Sequence, residues 1–248
     1  MYAVMTTDAL ETQDLIPPPS PELLRRYGTS EVSLRRLRSR HEQHLLMRTA
    51  PLEDIAFVQR DTRIEALRLA EAHDGVVIDL TIPRVVDDRA DDVSLSHATQ
   101  WFVVDYDDLP DGRLRTLGLA SFGLPEIVLD GVDPDRHAMF GAVLTGLVHR
   151  LIAEWPAHDP VGEATVTLRD IAHGLGDAAA ARTPADRSVD VRIDYDGAAD
   201  QLTVRLLGDP AVDAALKNEV LTGLQLQSPP PAGMKMPINL RLTARAAR

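Results

Sequence analysis

The chain has 248 residues, a net charge of -12 from 38 acidic and 26 basic side chains, 44% hydrophobic residues and no cysteine. That length holds one large domain or two small ones, and apolar and charged residues spread along all of it exclude wholesale disorder. The acidic balance repels phosphate backbones and anionic bilayers, disfavouring nucleic-acid and membrane partners, and the missing cysteines exclude disulfides, thiolate metal sites, iron–sulfur clusters and cysteine nucleophiles.

Met1 to Leu10 lacks the basic start and apolar stretch of a signal peptide, and no run reaches the roughly 18 apolar residues of a spanning helix, so the expected compartment is the cytoplasm. Tyr2 to Thr6 reads as a short strand. Ile16 to Pro21, with Pro17, Pro18 and Pro19 in a row, reads as an extended connector. Ser20 is a natural N-cap with Pro21 at the first helical position, and Gly28 ends that short helix. Thr29 or Ser30 caps a second helix carrying Arg35, Arg36, Arg38 and Arg40. His44 to Thr49 is strand-like. From Ile55 to Ala72, Ile55, Val58, Ile64, Leu67 and Ala70 recur at helical spacing, Gly75 stops the helix, and Val76 to Leu80 is a β-branched run short enough for a buried strand. Strand, helix and strand make a β-α-β unit, which favours parallel pairing.

Pro83 to Ala98, with Asp87, Asp88, Asp91 and Asp92, reads as an exposed acidic loop. Trp101 to Tyr106, Leu114 to Phe122 and Glu126 to Leu129 form an antiparallel meander, turned first at Pro110-Asp111-Gly112 and then at Gly123 and Pro125. Asp133 or Asp135 caps a helix running to about Trp155, with Met139, Val143, Leu147 and Leu151 at four-residue intervals. Pro156 and Pro160 mark a boundary. Beyond it, Ala164 to Leu168, Val189 to Tyr195 and Leu202 to Leu207 are strands, a helix runs from Asp209 or Pro210 to about Leu224, Pro229 to Gly233 is a second connector, and Ile238 to Thr243 is a final strand. The class is α+β: a mixed sheet with packed helices in a domain over residues 1–158, then a second α+β domain, or an extension completing the first sheet, over residues 161–248.

Most chemical constellations fail at named positions. His41 and His44 have no third ligand at metal spacing, and His137 and His149 lie about 18 Å apart along one helix by its rise per residue. Asp105 to Gly112 resembles a calcium loop, but Leu109 holds the fifth position, Gly112 the eighth, and the late glutamate is missing. No Gly-x-Ser-x-Gly elbow, phosphate loop or dinucleotide fingerprint occurs. The arginines at 35, 36, 38 and 40 have no interleaved aromatics for base stacking, and pairing with the protein's own acids accounts for them. No metal or cofactor is expected. Two features remain. Asp87, Asp88, Asp91 and Asp92 can attract a basic protein partner or stand as a solvated run. Glu126 can serve, with Arg115 and His73, as the centre of a carboxylate/histidine site, or, as an acid at a strand start, it can be exposed or paired with an arginine such as Arg115.

The segments Ala70-Glu71-Ala72-His73-Asp74-Gly75-Val76-Val77-Ile78-Asp79-Leu80, Arg115-Thr116-Leu117-Gly118-Leu119 and Phe122-Gly123-Leu124-Pro125-Glu126-Ile127 resemble a family of uncharacterised α+β proteins of high-GC bacteria. The resemblance spans about residues 44–155. It implies the fold and no catalytic residues, and distant relatives in toxin–immunity settings point the same way as the missing motifs. The expectation is therefore a non-catalytic protein-binding, assembly or immunity-like protein using an acidic surface or exposed sheet edge. The alternative is a small hydrolase or other small-molecule enzyme around Glu126.

Overall fold

The structure, a computed structural model, describes residues 1–7, 16–105, 112–130, 132, 136–183, 185 and 187–207. These form two compact units, one up to Ser94 and one from Leu95 onward. The fold is α+β, with helices packed on one mixed and one antiparallel sheet. The helix expected after Asp209, the second proline connector, the strand at 238–243 and the Pro110-Asp111 turn lie outside the described residues.

The first unit is built around β1 (Tyr2–Thr6), whose five residues are all buried. Alternation along the strand sends Tyr2 and Val4 to one face and Ala3 and Met5 to the other. On the first face Ala66, Leu67 and Ala70 of α3 (Ile55–Ala72) close a core with Val77 and Val86. On the second face Leu24 of α1 (Pro21–Arg26) and Leu34 of α2 (Glu31–Leu37) close another with Val76, Ile78 and Val85. Ser20 and Ser30 cap α1 and α2 through their hydroxyls, and Pro21 opens α1.

The sheet order is β2-β1-β3-β4, with β2 at Glu42–Leu46, β3 at Val76–Asp79 and β4 at Arg84–Val86. The expected parallel pairing of a β-α-β unit does not form. β2 and β3 run parallel, but β1 lies between them and pairs antiparallel with both. The N-terminal strand supplies the pairing that a contiguous crossover would have made. The expected exposed loop at Pro83 to Ala98 is also corrected: β4 lies inside it, with Val85 and Val86 buried. Helix α3 ends at Ala72, before the glycine expected to stop it, and it is Asp74, at φ 46, that takes a left-handed conformation. Gly75 answers a different need, because a Cβ there would lie 3.0 Å from the Met5 carbonyl oxygen.

The second unit holds a six-stranded sheet in the order β5-β6-β7-β10-β9-β8. The meander β5 (Val103–Asp105), β6 (Leu114–Leu117) and β7 (Glu126–Leu129) forms as expected. After α4 (His137–Glu154), the chain adds β8 (Gly162–Thr167), α5 (Leu168–Gly174), β9 (Ser188–Asp196) and β10 (Gln201–Leu207). The expected boundary at 158–161 falls inside this unit, because β10 pairs in parallel with β7 and so joins residues beyond 161 to the meander. Val166, Val189, Val191, Ile193, Leu202 and Val204 make its buried face, and Gly146 lets α4 approach Val166 of β8 and Ile171 of α5. Helix α5 replaces the end of an expected strand. Thr167 caps it in a reciprocal box with Asp170.

Candidate functional site

Glu126 is buried at the start of β7, and its carboxylate is fully engaged. It accepts from the Thr116 hydroxyl at 2.7 Å, the Gly118 amide at 2.8 Å and the Ala120 amide at 3.2 Å. Gly118 has φ 127 and opens a single helical turn over Leu119–Phe122. The carboxylate therefore braces that turn, which replaces the second half of the expected strand. Arg115 neighbours Thr116 in β6, so it points from the opposite face and is exposed; the expected Glu126–Arg115 pairing does not form. His73 is the exposed C-cap of α3, in the first unit.

The acidic residues at 87–92 are divided by the fold. Asp87 accepts from the Ser33 hydroxyl at 2.7 Å, and Asp88 pairs with Arg63. Asp87, Asp88 and Asp91 line a groove of about 560 Å³ formed by the end of α3, the Gly75 turn, the start of β3 and the segment leaving β4. Asp92 is not part of its wall. Arg36, Arg68, Glu71, Asp74 and Arg89 complete its lining, and Val76, Val77, Val85 and Val86, whose side chains are buried in the cores on the two faces of the sheet, border it. Arg36 donates to the Gly75 carbonyl at 3.3 Å, and Asp74 is held by Arg40. The side chains of Glu71, Asp91, Arg68 and Arg89 have no hydrogen-bond or ion-pair partner among the described residues. The groove thus offers both signs of charge.

Behind the groove lies a buried polar network absent from the sequence expectations. Arg63, 1% exposed, stands in the apolar stripe of α3 and pairs with Asp88. Its position three and four residues before Ala66 and Leu67 was the available signal, since that spacing places it on the buried face. Asp79 is buried opposite Tyr2 and accepts from the Thr81 and Ile82 amides at 2.9 and 3.2 Å. Burial, reinforced by the Asp79 charge, pushes the Tyr2 hydroxyl above its ordinary pKa. Burial, then the neighbouring Arg63 charge, pulls the Arg84 guanidinium down to about 10, against the attraction of Asp79 and Asp88. Breaking the Arg63–Asp88 pair would leave the buried Arg63 charge in low dielectric without that carboxylate.

In the second unit, His149 of α4 stacks on His173 of α5, with centroids 5.3 Å apart and planes 15° apart. His149 Nδ1 lies 3.0 Å from the Ser96 carbonyl oxygen. No sequence spacing linked these rings. Among the described residues no group of three or more His, Asp or Glu could hold a metal ion, and no helix is long and apolar enough to cross a membrane. His41 precedes β2 and His44 lies within it, where a separation of three turns them to opposite faces. Comparison with protein-family models, curated proteins and solved structures finds no match.

Proposed function

We propose that this is a non-catalytic protein-binding protein, of the assembly or immunity-like kind, which docks its partner on the groove of the first unit. The observation that carries the reading is the charged lining: Glu71 and Asp91 line the groove together with Arg68 and Arg89, all four without side-chain partners among the described residues. The partner is a protein segment that presents both signs of charge, because unpaired charges of both signs reject a uniformly basic or acidic surface. Asp87 and Asp88, already engaged by Ser33 and Arg63, shape the wall. The hydrolase reading draws no support from Glu126, whose oxygens are engaged by the turn it braces.

A photo-reactive residue placed at Ala90, on the groove, tests this in extracts of the native host, with Glu163 on β8 as the comparison position. The reading predicts one discrete protein adduct from position 90 and none of the same mass from position 163. Equal labelling from both, or none from position 90, contradicts it.

A further inference from the structure

We propose that the outer edge of β2 is a self-association surface, on which two copies of the chain pair antiparallel about Leu45 and join their four-stranded sheets. The observation is a difference between edges. Exposed strand edges template further pairing unless they are blunted. At the other end of this sheet, the β4 amide of Val85 donates to the Thr29 hydroxyl at 2.9 Å, so that edge is occupied. In the second unit's sheet, the β8 carbonyl of Thr165 accepts from Arg150 at 2.5 Å, and the β5 edge is only three residues long. Among the described residues, the main chain of Glu42–Leu46 is hydrogen-bonded to β1 alone. Neither proline nor lysine interrupts it.

The sequence of this edge and the two residues that follow it, Glu42-Gln43-His44-Leu45-Leu46-Met47-Arg48, complements itself if pairing extends the strand to Arg48. A two-fold axis through Leu45 sets Glu42 of one copy opposite Arg48 of the other, twice, with Gln43 opposite Met47 and His44 opposite Leu46. Residues of like parity then face each other, so the outward amides and carbonyls of one strand meet those of its mate. Opposite charges directly across an antiparallel pair stabilise it, and like charges there destabilise it. Glu42 and Arg48 share the α3 face, where Leu46 packs and where Arg48 reaches Glu65 of α3. Met47, the first residue after β2, is 67% exposed, a large apolar side chain that an extended pairing would cover. An interface that repeats one patch about a two-fold axis is the commonest form of homodimer.

Analytical ultracentrifugation of the full chain over a concentration series tests the proposal. Wild type is expected to dimerise, and Glu42→Arg and Arg48→Glu each to weaken the dimer by about tenfold or more, since each sets like charges together at two positions. The double exchange E42R/R48E is expected to restore it. A wild type that stays monomeric throughout, or a dimer indifferent to both single exchanges, overturns the proposal. Hydrogen exchange gives a readout independent of any variant: protection of Glu42–Leu46 amides rises with concentration if β2 is the interface, and constant protection refutes it.

Discussion

Glu126 and Asp88 show how the same residue type acquires different work from its neighbours. Glu126 accepts three hydrogen bonds in a buried turn. In Glu126→Gln the amide can keep its oxygen on the Gly118 and Ala120 amides only by turning its NH2 to the Thr116 hydroxyl. That hydroxyl already accepts from the Ile127 amide at 2.7 Å, so its own proton loses its acceptor. A cost of about 1–3 kcal/mol follows, read as a lower urea midpoint, while partner binding is unchanged. Asp88→Ala removes the carboxylate paired with buried Arg63, and a loss on the order of 3 kcal/mol is expected. Asp91→Ala, at an exposed position three residues on, changes stability by less than about 0.5 kcal/mol in the same titration. Composition does not distinguish the two aspartates. Only the burial of Arg63 separates them.

At the scale of elements, what was legible followed from local chemistry. The bounds of α3 follow from its periodicity, the start of α1 from Ser20 and Pro21, and β7 from its apolar run between Pro125 and Asp130. What was not legible depends on partners far along the chain. The central place of β1 between β2 and β3 is set by pairing over distances of about 40 and 70 residues, which no local pattern encodes. Strand β4 was hidden by its acidic flank, and α5 by its brevity. The contact between α4 and α5 carries a pH prediction. His149 is pulled below its ordinary pKa of 6.5, first by burial and further by His173 and Arg150, against the Ser96 carbonyl and Asp170. The unfolded chain therefore takes up the proton first. The stabilisation is complete above pH 6.5 and declines as the pH falls below it. His149→Gln should flatten that decline in melting temperature between neutral and mildly acidic pH, and an unchanged slope contradicts the assignment.

For the molecule as a whole, the division at Ser94 and Leu95 assigns the groove to the first unit and Glu126 to the second. The expected acidic surface has become a mixed-charge groove, because fold contacts consume Asp87 and Asp88 and leave Asp91 and Glu71 beside two arginines. Composition showed the excess of acid, and no count of charges could show which ones the fold would engage. The most direct measurement compares what wild type and the double variant Glu71→Arg/Asp91→Arg recover from the native host by affinity purification at physiological salt. The account predicts a protein recovered in stoichiometric amount with wild type and lost with a variant that melts at the same temperature. Recovery of no stoichiometric protein by wild type, or equal recovery by both, would contradict it.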